Sequence, residues 1–169
     1  FIEQERGIDL FVESSFSKIS YPISSEADLL GYIKKTGLPI WQIVLKNELD
    51  LDSEANVKDR IINIWDTMKE CMYNGCHTKG ILPGGLNVKR RAEEINLKLL
   101  LGQETSTLEK WISAIKNTPQ SFNNINQWIS CFALAVNEEN AAFGRIVTSP
   151  TNGAAGILPA VFMYYYCFE

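Results

Sequence analysis

The sequence predicts an all-α or mostly α fold, a multi-helix globular domain with few or no strands, on three observations. Apolar residues recur every three or four positions through most of the chain from about residue 23. Helix-starting and helix-stopping residues bracket those runs. Alternating, β-branched stretches are scarce, with IDLFVES and RIVTS the only short strand candidates.

The elements follow in order. SSEADLLGYIKKTG offers Ser24 or Ser25 as N-cap, acidic residues in the first turn, lysines in the last and Gly37 as the stop. Pro39 suits the first turn of the next helix, LPIWQIVLKNE. From Ser53, the positions Val57, Ile61, Ile64, Trp65, Met68 and Met72 form one helix face that Asn74 and Gly75 are expected to end. Ser106 and Glu109 suggest a capping box ahead of Leu108, Trp111, Ile112 and Ile115, with a stop at residues 117–119. Another helix runs through Ile125, Trp128, Ile129, Phe132 and Val136. Residues 1–22 read as a linker or tail from a preceding region, and residues 23–169 as part of a helical domain.

With 169 residues, 46% apolar and 21% charged, the composition is that of a folded globular protein. A net charge of -4 argues against non-specific binding to nucleic acid or a membrane surface, since both are polyanionic. No apolar run reaches the roughly 18–20 residues that span a bilayer, and FIEQERGIDL lacks the pattern of a signal peptide, so a cytoplasmic location is expected. The first residue is Phe1, and the last stretch, LPAVFMYYYCFE, stops within an apolar run; together they suggest a fragment of a longer polypeptide. Its aromatic residues, Tyr164, Tyr165, Tyr166 and Phe168, are expected to seek a partner, so self-association into a homo-oligomer follows.

Three stretches have the residue types for chemistry. GILPGGLNVKRR places a Pro-Gly-Gly turn before Lys89, Arg90 and Arg91, at the start of a predicted helix where cations oppose the macrodipole by about 0.3–1 kcal/mol each. Compensation is expected either from i, i+4 pairs, Lys89 with Glu93 and Arg90 with Glu94, or from an anionic substrate or facing domain. CFALAVNEENAAFGR sets a polar block after an apolar helical run. Asn140 and Phe143 continue the buried face, whereas Glu138 and Glu139 are expected to face solvent, with a general-base role as the alternative.

In IVTSPTNGAAGILPAV, Thr151 or Asn152 as a cap would leave N–H groups and a positive helix end in front of the loop, a ready carboxylate or phosphate site. Pro159 then either kinks that helix or lies in the first turns of one that starts later; a small-residue helix crossing is the other reading. Cys71, Cys76, Cys131 and Cys167 read as reduced structural thiols, with a metal or redox site at Cys71, Cys76 and His77 as the alternative. The single histidine and the lack of a G-x-S-x-G elbow give no hydrolase triad.

Together, GILPGGLNVKRRA, FALAVNEENAAFGRIVTSPTNGAAGILPAV and, less specifically, YPISSEADLLGYIKKTGLPIWQIVLKNE resemble the catalytic α region of the iron–sulfur L-serine dehydratases, in the same order and with similar separations. The resemblance implies an all-helical lyase that converts L-serine to pyruvate and ammonia without pyridoxal phosphate. It also implies a 4Fe-4S cluster in the full-length enzyme, one of whose irons acts as a Lewis acid toward the substrate hydroxyl. A regulatory β domain or subunit is the implied partner.

By motif, the resemblance assigns Thr151, Asn152, Gly153 and Ala154 to the loop that holds the substrate carboxylate, and Lys89, Arg91, Asn137, Glu139, Asn140 and Arg145 to the pocket. The chain departs from the family pattern at Ala155, often Cys or a small residue in members, and at Phe143, often Gly. The family's cluster cysteines match none of the four here, so this stretch alone is expected to bind no cluster and to be inactive. A helical interaction module lacking the chemistry is the alternative.

Overall fold

The computed structural model describes residues 19–103, 105–148 and 152–169. Seven α-helices make up the described chain: α1 (Glu26–Thr36), α2 (Ile40–Leu51), α3 (Glu54–His77), α4 (Ala92–Leu99), α5 (Leu108–Lys116), α6 (Phe122–Ala141) and α7 (Ile157–Phe168). No strand forms among the described residues; one isolated antiparallel bridge joins Ile81 and Lys89. IDLFVES lies outside the described residues, and residues 145–148 of RIVTS run without regular structure. No described helix is long and apolar enough to cross a membrane.

Contacts divide the chain after Ile61 into two compact units. In the first, Ser25 caps α1 in a capping box with Asp28, and Gly37 closes the helix at φ 71°. Hydrogen bonds from the Ser25 hydroxyl and the Ser24 and Ser25 N–H groups hold the Asp28 carboxyl below its ordinary value. The box therefore contributes stability above the ordinary Asp range and loses it as the pH falls through the lowered value. Asn47 on α2 pairs with the Tyr21 backbone in both directions, at 2.9 and 2.7 Å, which ties the entry segment to this unit.

The second unit is built around α6, which packs against both α4 and α7. Its core centres on Met72, Trp111, Trp128, Phe132 and Met163, all fully buried. Trp128 stacks on Phe132 at 5.4 Å and Trp111 meets the same ring edge-on at 6.0 Å. Each indole removes roughly 200 Å² from water, on the order of 5 kcal/mol before conformational entropy is counted. Their N–H groups are satisfied: Trp111 donates to Asn96 at 2.8 Å and Trp128 to Thr118 at 3.1 Å.

Several local expectations change. Gly75 does not stop α3, which continues to His77; a β-carbon there would lie 2.5 Å from the Ala135 carbonyl oxygen, so the glycine serves close approach to α6. On the same helix Val57, Met68 and Met72 are buried, but Ile61 and Ile64 are exposed. Thr107, rather than Ser106, is the N-cap of α5 and accepts from the Lys110 N–H. On α7, Val161, Phe162, Tyr165 and Tyr166 are exposed alongside buried Ala160, Met163 and Cys167, which leaves an aromatic face outward.

Candidate functional site

The exit of α6 organises the three stretches that carry candidate chemistry. Glu138 and Glu139 do not face solvent, contrary to expectation. Glu138 is only 3% exposed, and its carboxylate accepts from the Arg91 N–H at 2.7 Å and the Ala92 N–H at 3.3 Å. Glu139 forms an ion pair with Arg90 at 2.6 Å, with both side chains nearly buried. Arg90 is thus compensated by Glu139 of α6, and the Glu138 carboxylate sits at the first N–H groups of α4. Charge-assisted hydrogen bonds of about 1.5–3 kcal/mol each outweigh a dipole penalty of about 0.3–1 kcal/mol per cation.

The expected i, i+4 pairs do not form. Lys89 reaches Glu94 at 3.6 Å instead, Glu93 pairs with Lys79 at 3.1 Å, and Arg90 turns to Glu139. Both lysines of the first two pairs are exposed, so these pairs contribute little. Ahead of them, residues 80–90 close on themselves through Leu82 N–H to Val88 O at 2.8 Å and Arg90 N–H to Gly80 O at 2.9 Å. Gly84 and Gly85 take φ of 109° and 62°, values that glycine reaches without strain, and so make the Pro-Gly-Gly turn possible.

At the other side of the same helix end, Gly156 lies against α6. A β-carbon at Gly156 would sit 2.6 Å from the Ala133 carbonyl oxygen and 3.1 Å from Asn137 Oδ1. Asn152–Ala154 make one 3-10 turn, and α7 itself begins at Ile157 with Gly156 as an N-cap that has no side-chain hydrogen bond. Pro159 therefore lies in the first turn, where its missing N–H leaves no helix bond unmade. Thr151 lies outside the described residues. A β-carbon at Gly153 would meet nothing within 4 Å, so this turn borders open space.

The other candidates are placed as follows. Asn137 is exposed, Asn140 is half-buried, and Lys89, Arg91 and Arg145 are exposed. Because α6 ends at Ala141, Phe143 does not continue the buried face; it takes φ 60° and is 89% exposed. That left-handed conformation favours glycine. Gly144 follows, its N–H bonded to the Glu139 carbonyl at 2.8 Å. Arg90 and Glu138 were absent from the expected pocket; their sequence signals were the run of cations at a helix start and the general-base alternative for Glu138.

The cysteines make no metal site among the described residues. All four are buried and free. Burial pushes the Cys71 thiol up to about 12, with the Glu139 charge adding to it, and the Cys167 thiol to about 11. Burial and the neighbouring Cys131 thiol, 3.8 Å away, raise Cys76 well above the ordinary range. Protonated buried thiols are poor iron ligands. His77 is engaged too, with Nδ1 2.7 Å from the Tyr73 carbonyl and Nε2 3.0 Å from the Thr105 hydroxyl. Iodoacetamide at pH 8 is therefore expected to modify none of the four thiols within minutes unless denaturant is present; rapid labelling of the native protein would contradict the burial.

The family model described as serine dehydratase alpha chain matches residues 35–168. The chain belongs to this family. The serine dehydratase alpha chain segment is 42% identical over 147 residues to L-serine dehydratase 1 of Escherichia coli (strain K12), covering 87% of this chain and 30% of that protein. It is 40% identical over 156 residues to the L-serine dehydratase of Haemophilus influenzae, covering 92% and 31%. With the L-serine dehydratase of Helicobacter pylori it shares 33% over 166 residues, covering 97% and 33%. The chain spans about a third of the length of these relatives.

Proposed function

We propose that this serine dehydratase alpha chain segment is the substrate-carboxylate portion of an L-serine dehydratase that converts L-serine to pyruvate and ammonia. The observation that carries the reading is that one helix end, residues 133–139 of α6, holds both the cationic start of α4 and the small-residue turn before α7. Gly156 has no side chain to cap α7, so the N–H groups at its start would suit a carboxylate, and the exposed Lys89, Arg91 and Arg145 are the proposed sources of positive charge for it. Asn137 and Asn140 offer neutral donors and acceptors for the ammonium and hydroxyl groups.

In the proposed reaction the α proton and the β hydroxyl leave L-serine as water, giving aminoacrylate. Its imine tautomer takes up water and yields pyruvate and ammonia, so atoms balance with no external oxidant or reductant. The residues of this chain bind and orient the carboxylate end.

The full-length enzyme is proposed to contain a 4Fe-4S cluster, following the resemblance. The four cysteines here do not fit that group, because all four are buried and burial raises the Cys71 and Cys76 thiols well above their ordinary range, so no cluster ligand is assigned among the described residues. By the same reading this segment is inactive alone, L-serine is the substrate, a regulatory β region and a second copy are partners, and the enzyme works in the cytoplasm.

Gly153→Val in the full-length enzyme tests the carboxylate assignment without disturbing the core, since the new side chain enters open space. The expected result is a KM for L-serine raised about tenfold or more with an unchanged melting temperature. An unchanged KM would remove the turn from the site.

A further inference from the structure

We infer that Glu138 and the Arg90–Glu139 pair are positioning residues: a buried clamp that fixes the exposed cations Lys89, Arg91 and Arg145 and thereby sets affinity for the substrate carboxylate. The inference rests on the reading of this chain as the carboxylate-binding part of an L-serine dehydratase. Three consecutive residues at the entry to α4, Arg90 to Ala92, are held by two consecutive residues of α6. Arg90 binds the Glu139 carboxylate at 2.6 Å through its guanidinium, while the N–H groups of Arg91 and Ala92 bind Glu138 at 2.7 and 3.3 Å.

Glu139 also fixes the chain beyond α6. Its carbonyl accepts the Gly144 N–H at 2.8 Å, and its carboxylate stands where a β-carbon at Gly144 would be only 2.5 Å from Oε2. Lys89, Arg91 and Arg145 are thus each at, or next to, a residue in contact with the clamp. Glu138 is suited to this work because both its oxygens accept backbone N–H groups and it is 3% exposed. A glutamine there would turn one N–H2 group toward an N–H, leaving a donor facing a donor.

The remaining cleft candidates carry less: the polar hollow beside His77 and Lys79 has its charged groups already paired with each other. The clamp, in contrast, is buried polar structure that joins the start of α4 to α6 and stands beside the surface cations.

The test is steady-state kinetics of the full-length enzyme bearing Glu138→Gln, beside a core control on the same helix, Phe132→Leu, chosen for a similar loss of melting temperature. Glu138→Gln is expected to raise the KM for L-serine about tenfold with kcat within about threefold, while the control leaves KM unchanged. Arg90→Gln should raise KM in the same way, and Arg90→Lys, which keeps the charge opposite Glu139, should restore it; this pair decides the matter if Glu138→Gln does not fold. An unchanged KM in Glu138→Gln or Arg90→Gln, or an equal rise in the control, would overturn the clamp. A wild-type enzyme that makes no pyruvate from L-serine would overturn the functional reading itself, and the clamp's role with it.

Discussion

Replacing Arg90 with methionine is expected to destabilise the protein by about 3–5 kcal/mol. The guanidinium is the 2.6 Å partner of Glu139, and the two side chains are 7% and 12% exposed. Methionine fills much of the arginine volume but leaves a nearly buried carboxylate without its cation. Breaking such a pair from one side costs far more than the pair itself contributes, because desolvation of the remaining charge is no longer offset. The expected drop in melting temperature is roughly 10 °C. Arg90→Met with Glu139→Leu, which removes both charges, is expected to recover most of the loss. A single-variant effect under about 1 kcal/mol, the size of an exposed pair, would contradict the burial.

Gly156→Val is expected to cost about 3 kcal/mol, through overpacking of the contact between α6 and the turn into α7. The atom a β-carbon would meet, the Ala133 carbonyl oxygen 2.6 Å away, belongs to the backbone of a helix and cannot rotate aside. The Asn137 amide beside it, at 3.1 Å, can shift, but that does not relieve the first clash. Gly153, three residues earlier, offers the contrast: a β-carbon there meets nothing within 4 Å. Urea unfolding of the two variants should therefore separate them clearly. Equal stability of Gly156→Val and Gly153→Val would mean that α7 does not seat on α6 as described.

What could be read from the sequence was what nearest neighbours decide. Ser25 and Gly37 mark the ends of α1 because caps act within a few residues, and the helical period of residues 125–136 is a property of that segment alone. The cap of α5 slipped by one, from Ser106 to Thr107, since two adjacent hydroxyls carry nearly the same signal. Gly75 read as a stop because glycine weakens helices locally, but its reason for being there is Ala135, sixty residues away in sequence.

The candidate site divides along the same line. Its small-residue turn and its run of cations stood out by composition, and Pro159 was already consistent with a late helix start. Glu138 and Glu139 read as solvated because neighbouring carboxylates usually are. Their partners, Arg91, Ala92 and Arg90, lie 46–49 residues back, and only tertiary packing of α4 on α6 brings them together. The run of cations at a helix start was the visible half of that arrangement, but Glu93 and Glu94 nearby offered local partners that Arg90 does not use.

The most direct measurement is the quantity of pyruvate and ammonia released when the full-length enzyme is given L-serine under strictly anaerobic conditions, followed by the same assay after exposure to air. Equal amounts of the two products, with activity lost in air, are the predicted result for an L-serine dehydratase that depends on the proposed 4Fe-4S cluster. Full folding and L-serine binding without either product would contradict it.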